Sequence, residues 1–246
     1  MPRISLILFF LTLAEAVVAD DVHVAVAANF LEPARELAAR FEAGGNRLVR
    51  LSSGSTGKLY AQIVAGAPFD VFLAADDTRP LKLVEAGKAS QAFVYALGRL
   101  SLVSADPSLA GRDCREALLA DPGATLAMAN PDTAPYGRAA AEALAAIGDA
   151  SSRRIVKGDS VAQAMHFVSS RAARFGLVAA AQVSRPGVAW VGCRWDVPAE
   201  LYAPIRQVAV LVVDPGSRNE AARAFLEFLR SAEARALIAA RDYGLP

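Results

Sequence analysis

The strongest constraint on this chain is a plan repeated three times in its first third: a short apolar run, a turn of small polar residues, then an amphipathic run. The segment from Asp20 to Ala28 leads into Asn29 and then into Phe30, Leu31, Leu37, Ala38 and Phe41 at helical spacing. Leu48, Val49 and Leu51 lead into Ser52-Ser53-Gly54-Ser55-Thr56-Gly57, and Leu59, Ile63 and Val64 lead out. Asp70–Ala75 leads into Asp76-Asp77-Thr78, followed by Leu81, Leu83 and Val84. Units of strand, turn and helix in succession predict a parallel, doubly wound sheet with right-handed crossovers. Asn29 with Glu32 three residues on predicts a capping box at the first helix.

The chain then departs from this plan. Phe93–Ser104 is one long extended run interrupted by Gly98, long enough to leave one sheet and enter another, with the crossing at Ala96–Gly98. Beyond it the plan resumes. A helix is expected at Cys114–Leu119 and a strand at Thr125–Ala129. The turn Asn130–Gly137 follows, then an Ala-rich helix with Pro135 at its first position. Arg153–Val156 and Phe175–Ala179 read as strands around a helix that opens after Gly158-Asp159-Ser160, with Ser160 and Gln163 as a capping-box pair. Trp190–Trp195 reads as an outer strand and Pro198–Val213 as the return crossing. The turn Asp214–Ser217 precedes two last helices, Ala221–Leu229 and Ala232–Ile238. The expected fold is α/β with two lobes, each a mostly parallel sheet flanked by helices, joined by two crossover strands. The first lobe comprises 20–97 plus 212–246 and the second 98–211. Ligands of such sheets bind outside the carboxyl ends of the strands, where helices begin.

At 246 residues the chain has room for one large or two smaller cores. Its net charge of +1, with the two signs mixed along the chain, argues against a basic nucleic-acid-binding face. Residues 1–19 read as a secretory leader: Arg3, then an apolar stretch Ile4–Leu13 of about ten residues, too short to span a bilayer, then small residues with cleavage expected after Ala19. Export permits a disulfide between Cys114 and Cys193, but two separate buried thiols fit the sequence equally, because sequence gives no distance.

The motifs exclude more than they assign. Gly54-Ser55-Thr56-Gly57-Lys58 looks like a phosphate loop, yet Ser52 stands where its first glycine belongs and Leu59 where its hydroxyl belongs. The same stretch fails as a nucleophile elbow, because Ser53 replaces the first glycine. His23 and His166 are the only histidines, one at a strand edge and one mid-helix, both better explained as structural. Ligand spacing for a metal is missing; Asp76-Asp77 fits a helix cap better than a metal site. Lys58 reads as a solvated side chain rather than an anion ligand. Tyr136, in a Pro-bounded turn opening a helix, reads equally as a packing residue or as a hydroxyl donor to an anion. The Ser55 turn itself, with hydroxyls and free N–H groups at a helix start and no carboxylate, suits holding an anion rather than transforming one.

At these residues the chain resembles the molybdate-binding periplasmic proteins of ABC importers. The likeness runs through Val24–Phe30, Ser52–Pro80, Tyr95–Ser104, Ala129–Gly137, Gly158–Ala164, FGLVA and Tyr202–Leu211, in order and over essentially the whole mature chain. It implies a two-lobed (type II) binding protein that closes on molybdate or tungstate and delivers it to a permease at the inner membrane. It further implies a periplasmic monomer with no cofactor and no catalysis. Carried over by position, the ligand residues are Ala28 through its backbone, Asn29, Ser55 and Thr56 in the first lobe. In the second they are Tyr136 through its hydroxyl and Val161 through its N–H. The metal of the oxyanion takes no direct protein ligand. Where some relatives have a hydroxyl at Ala28 or Asn29, Ala28 offers only its N–H. The alternatives are a receptor for another tetrahedral oxyanion such as sulfate, and a secreted serine hydrolase using a hydroxyl of Ser52–Thr56.

Overall fold

The computed structural model describes residues 21–45, 48–148, 153–184, 190–212 and 220–246. The leader at 1–19, with its cleavage point, and the turn at 214–217 lie outside the described residues. Two five-stranded sheets organise the rest. The first is built from β1 (Val22–Ala27), β2 (Val49–Gly54), β3 (Val71–Leu73), β4 (Ala89–Gly98) and β10 (Ile205–Val212), in the order β2-β1-β3-β10-β4. The second contains β5 (Leu100–Ser104), β6 (Leu126–Ala129), β7 (Ile155–Gly158), β8 (Phe175–Ala179) and β9 (Cys193–Asp196), in the order β7-β6-β8-β5-β9.

Each sheet is mixed. β1 pairs in parallel with β2 and β3, while β10 runs antiparallel to both β3 and β4. In the second sheet β6 pairs in parallel with β7 and β8, and β5 runs antiparallel to β8 and β9. The antiparallel members are those that cross between lobes, which is why the repeated strand–helix plan indicated only the parallel half. The long run at 93–104 is two strands in two sheets, broken at Gly98-Arg99. The return run is not continuous strand either: one tight turn at Ala199–Leu201 precedes β10. Because β10 pairs inside the first sheet along its whole length, the second lobe ends before Ile205, not at 211.

Burial on both faces explains the continuous apolar strands. One face of the first sheet packs Val24, Val26 and Leu73 against α1 (Leu31–Ala43), α8 (Glu220–Arg230) and α9 (Ala232–Ala239) through Leu37, Phe225 and Ile238. The other packs Ala25, Phe72 and Val208 against Leu59 of α2 (Thr56–Val64) and Leu83 of α3 (Thr78–Glu85). The second lobe has one core, in which α4 (Cys114–Leu119), α5 (Pro135–Ala146) and α6 (Val161–Ser169) cover β5, β6 and β8 through Leu118, Leu144 and Val168; the short α7 (Ala180–Val183) follows β8. Each such buried aliphatic or aromatic side chain contributes about 1.5–3 kcal/mol. Cys114 and Cys193 are joined, with Cα atoms 5.1 Å apart, tying α4 to the edge strand β9. No helix among the described residues is long and apolar enough to cross a membrane.

Candidate functional site

The predicted ligand residues all fall at helix starts, and the two lobes bring those starts together. Ala28 and Asn29 form one tight helical turn directly after β1. Ser55 caps α2, its Oγ accepting the Lys58 N–H at 3.4 Å. Tyr136 is the second residue of α5, behind Pro135. Val161 opens α6, capped by Ser160 Oγ, which accepts the Gln163 N–H at 3.4 Å. Across the cleft, the Gly57 N–H donates to the Thr133 carbonyl at 2.9 Å, setting the start of α2 against the turn before α5. Lys58 Nζ meets Asp159 at 2.7 Å, joining the same helix start to the start of α6. Arg79 Nη2 donates to the Asp132 carbonyl at 3.1 Å. Ala27 and Ala75, at the ends of β1 and β3, pack into the core of the second lobe.

These starts leave a specific set of donors over. An α-helix has no internal partner for its first N–H groups. At α2 the Gly57 N–H goes to Thr133 and the Lys58 N–H to its cap, which leaves Thr56. At α5 the Gly137 and Arg138 N–H groups return to the Ala134 carbonyl, which leaves Tyr136. At α6 the Gln163 and Ala164 N–H groups return to Ser160, which leaves Val161, the predicted donor, and its neighbour Ala162. The macrodipoles of these helices add partial positive charge at the same ends.

The side chains sort differently from the sequence expectation. Asn29 is not a helix cap. It is buried, and its Nδ2 donates to Gln207 Oε1 at 2.9 Å and to Tyr243 Oη at 3.2 Å, so its amide donor is spent inside the first lobe. Thr56 is also buried, its Oγ1 accepting the Ala75 N–H at 3.1 Å, which pins the start of α2 to the end of β3. Ser55 Oγ accepts from Lys58 and keeps its own proton to donate. Tyr136 is buried, and its hydroxyl, packed on the backbone of Gly98, has no hydrogen-bond partner in the protein. Burial, with Tyr243 and Tyr95 nearby, pushes the Tyr136 hydroxyl well above the usual tyrosine range, so it stays a neutral O–H donor at physiological pH.

Charge stands at the margin and is paired. Asp76 accepts the Arg79 N–H at 3.1 Å and its guanidinium as well, with Arg138 at 3.9 Å. The carboxylate that ties down the start of α3 is thus Asp76, one residue before the N-cap Asp77, whose own side chain makes no cap bond; the sequence offers the pair. Among the described residues no cluster of His, Cys, Asp and Glu could hold a metal ion. A cavity of about 280 Å³ lies on this margin between Asp76, Arg138, Glu142 and Arg206; none of the predicted ligand residues lines it.

The sequence profile of the bacterial extracellular solute-binding proteins matches residues 22–245. The chain belongs to this family. Among its solute-binding relatives, the molybdate-binding protein ModA of Azotobacter vinelandii is 45% identical over 237 residues, covering 95% of this chain and 93% of that protein. The molybdate-binding protein ModA of Rhodobacter capsulatus is 42% identical over 237 residues, covering 94% and 90%. The solved structure of the Azotobacter vinelandii periplasmic molybdate-binding protein superposes with a TM-score of 0.85 at 38% identity, covering 92% of this chain and 99% of that one. The two-lobed α/β architecture is that of a solute-binding protein, and its cleft is where a solute would sit. Missed from sequence were Gln207, Tyr243, Gly57, Thr133 and Asp159. Only Gln207 left a signal, as a lone amide within the apolar run of β10.

Proposed function

We propose that this solute-binding protein captures molybdate or tungstate between its lobes, in the periplasm, and hands it to an ABC permease. The observation that carries the reading is the set of uncharged donors left over at facing helix starts: the N–H groups at Thr56, Tyr136 and Val161, with the hydroxyls of Ser55, Thr56 and Tyr136; the resemblance adds the Ala28 N–H on the tight turn after β1. A fully deprotonated tetrahedral dianion only accepts hydrogen bonds, so such a shell satisfies it without an acceptor. An unpaired carboxylate there would repel it, and Asp76 and Asp159 are both held by cations. Asn29 acts by holding its turn in place, and Thr56 through its N–H and the hydroxyl proton that it keeps while its Oγ1 accepts from Ala75. The names of the relatives point the same way. Closure of the two lobes on the ligand follows the hinge motion of two-lobed receptors.

Thermal unfolding tests this. A ligand that binds only the native state stabilises by about 2.7 kcal/mol at a hundredfold excess over Kd. Molybdate and tungstate should both raise the melting temperature. A rise with sulfate alone would reassign the solute, and no rise with any tetrahedral oxyanion would overturn the reading. The hydrolase alternative lacks a base: among the described residues no hydrogen bond joins the imidazole of His23 or His166 to a hydroxyl of Ser52–Thr56.

A further inference from the structure

Three consecutive residues at the carboxyl end touch three different parts of the machinery. Asp242 faces the second lobe: its carboxylate accepts from Arg194 Nη2 at 2.8 Å and from Ser184 Oγ at 2.7 Å, and Arg99 reaches it at 3.2 Å from the crossing. Tyr243 faces the ligand turn. Its hydroxyl donates to the Asn29 carbonyl at 2.8 Å and accepts from Asn29 Nδ2 at 3.2 Å, and its ring packs edge-on against Phe30 with centroids 5.2 Å apart. Gly244 faces the crossover strand, exchanging both backbone hydrogen bonds with Leu97, at 2.8 and 2.9 Å. Leu97 precedes Gly98, on which the Tyr136 hydroxyl rests.

Asp242 also holds a left-handed backbone, φ +62°. A non-glycine residue in that region costs free energy and persists where surrounding bonds over-determine it. Here the carboxylate clasp on one side and the Tyr243–Gly244 contacts on the other supply those bonds. Asn29 is held at both its amide and its carbonyl, so the tight turn that carries the Ala28 N–H has its height and tilt set by Tyr243 and Gln207 rather than by β1 alone.

We propose that Asp242-Tyr243-Gly244 is the positioning element of the anion site, fixing the first lobe's ligand turn relative to the crossover strand and the second lobe, so that affinity is set from residues that do not touch the ligand. This rests on the anion reading above. The test is Tyr243→Phe, which keeps the ring against Phe30 and removes both hydroxyl contacts to Asn29. Binding of molybdate to the purified protein should weaken about tenfold, the scale of one to two lost hydrogen bonds. A core truncation on another element, Leu237→Ala in α9, serves as the comparison: it should lower the melting temperature at least as much and leave Kd within about twofold. Backbone amide exchange at residues 28–30, measured without ligand, should accelerate in Tyr243→Phe and not in Leu237→Ala. In a wild type that binds molybdate, an unchanged Kd in Tyr243→Phe overturns the proposal. Unchanged exchange at residues 28–30 overturns it whatever the wild type binds. A wild type that binds no tetrahedral oxyanion sinks the anion reading separately, while the exchange measurement still decides whether the tail positions the turn.

Discussion

Gly57→Ala separates closure from folding. Gly57 is the second residue of α2, in a backbone conformation open to alanine. A methyl group there would lie 2.8 Å from the Thr133 carbonyl oxygen, 3.1 Å from the Thr133 Cα and 3.2 Å from Arg79 Nη2. Two of those atoms are backbone of the other lobe and cannot step aside. Ordinary contact needs roughly half an ångström more, so the lobes must part by that much at this point. The 2.9 Å Gly57–Thr133 hydrogen bond lengthens with them. Overpacking of this kind costs about 1–3 kcal/mol and the strained hydrogen bond about 0.5–1.5 kcal/mol. Relaxation at an exposed rim should absorb part of that sum. Binding is then expected to weaken by about 1–3 kcal/mol, or roughly fivefold to 150-fold in Kd. Within each lobe the change is favourable, because alanine in a helix is worth about 0.5–1 kcal/mol over glycine. The two effects have opposite signs. Calorimetric titration with molybdate should show the loss, while thermal unfolding without ligand shows an unchanged or higher midpoint. Undiminished affinity, or a loss of affinity matched by a fall in the ligand-free midpoint, would refute the reasoning.

Further outcomes follow from single contacts. Tyr136→Phe removes a buried hydroxyl with no protein partner and should weaken molybdate binding by about 1–3 kcal/mol; unchanged affinity would confine this residue's part to its N–H. The Lys58–Asp159 pair is solvent-exposed, with side chains 51% and 73% accessible, so a double-mutant cycle on affinity should give a coupling of about 0.2–1 kcal/mol that fades at high salt. A salt-independent coupling of several kcal/mol would contradict that. Replacing both cysteines with serine opens a loop spanning 79 residues and should lower stability in urea by about 4 kcal/mol, with near-zero change as the contrary result. Burial works to raise the Asp242 carboxyl, but hydrogen bonds from Arg194 and Ser184 outweigh it and hold the group below its ordinary value. The stabilisation is thus present above the unfolded-state pKa of about 3.9 and lost as pH falls through the folded value. Wild type should exceed Asp242→Asn in stability at pH 6 by a margin that shrinks below about pH 4. A margin that grows on acidification would reverse the sign.

How legible all this was depends on range. Local patterns located the parallel strands, the helix starts and the Gly98 crossing, because small-residue turns and apolar runs are properties of a few neighbouring residues. The lobe boundary at β10 was misplaced because pairing with β3 and β4 is a long-range choice that an apolar run does not reveal. The site divides the same way. Ser55, Tyr136 and Val161 stand at helix starts that their own neighbours dictate. Asn29 looked like a cap locally and proved to be a strut, since Gln207 and Tyr243, 178 and 214 residues away, take its amide. The cysteine pair was undecidable until packing brought α4 to β9.

The convergence of the leftover N–H groups can be read residue by residue. Nitrogen-labelled protein titrated with molybdate should show the amide signals of Ala28, Thr56, Tyr136 and Val161 shifting together and saturating at one equivalent. Shifts in only one lobe, or shifts that saturate at different molybdate concentrations, would contradict a single anion held between the two.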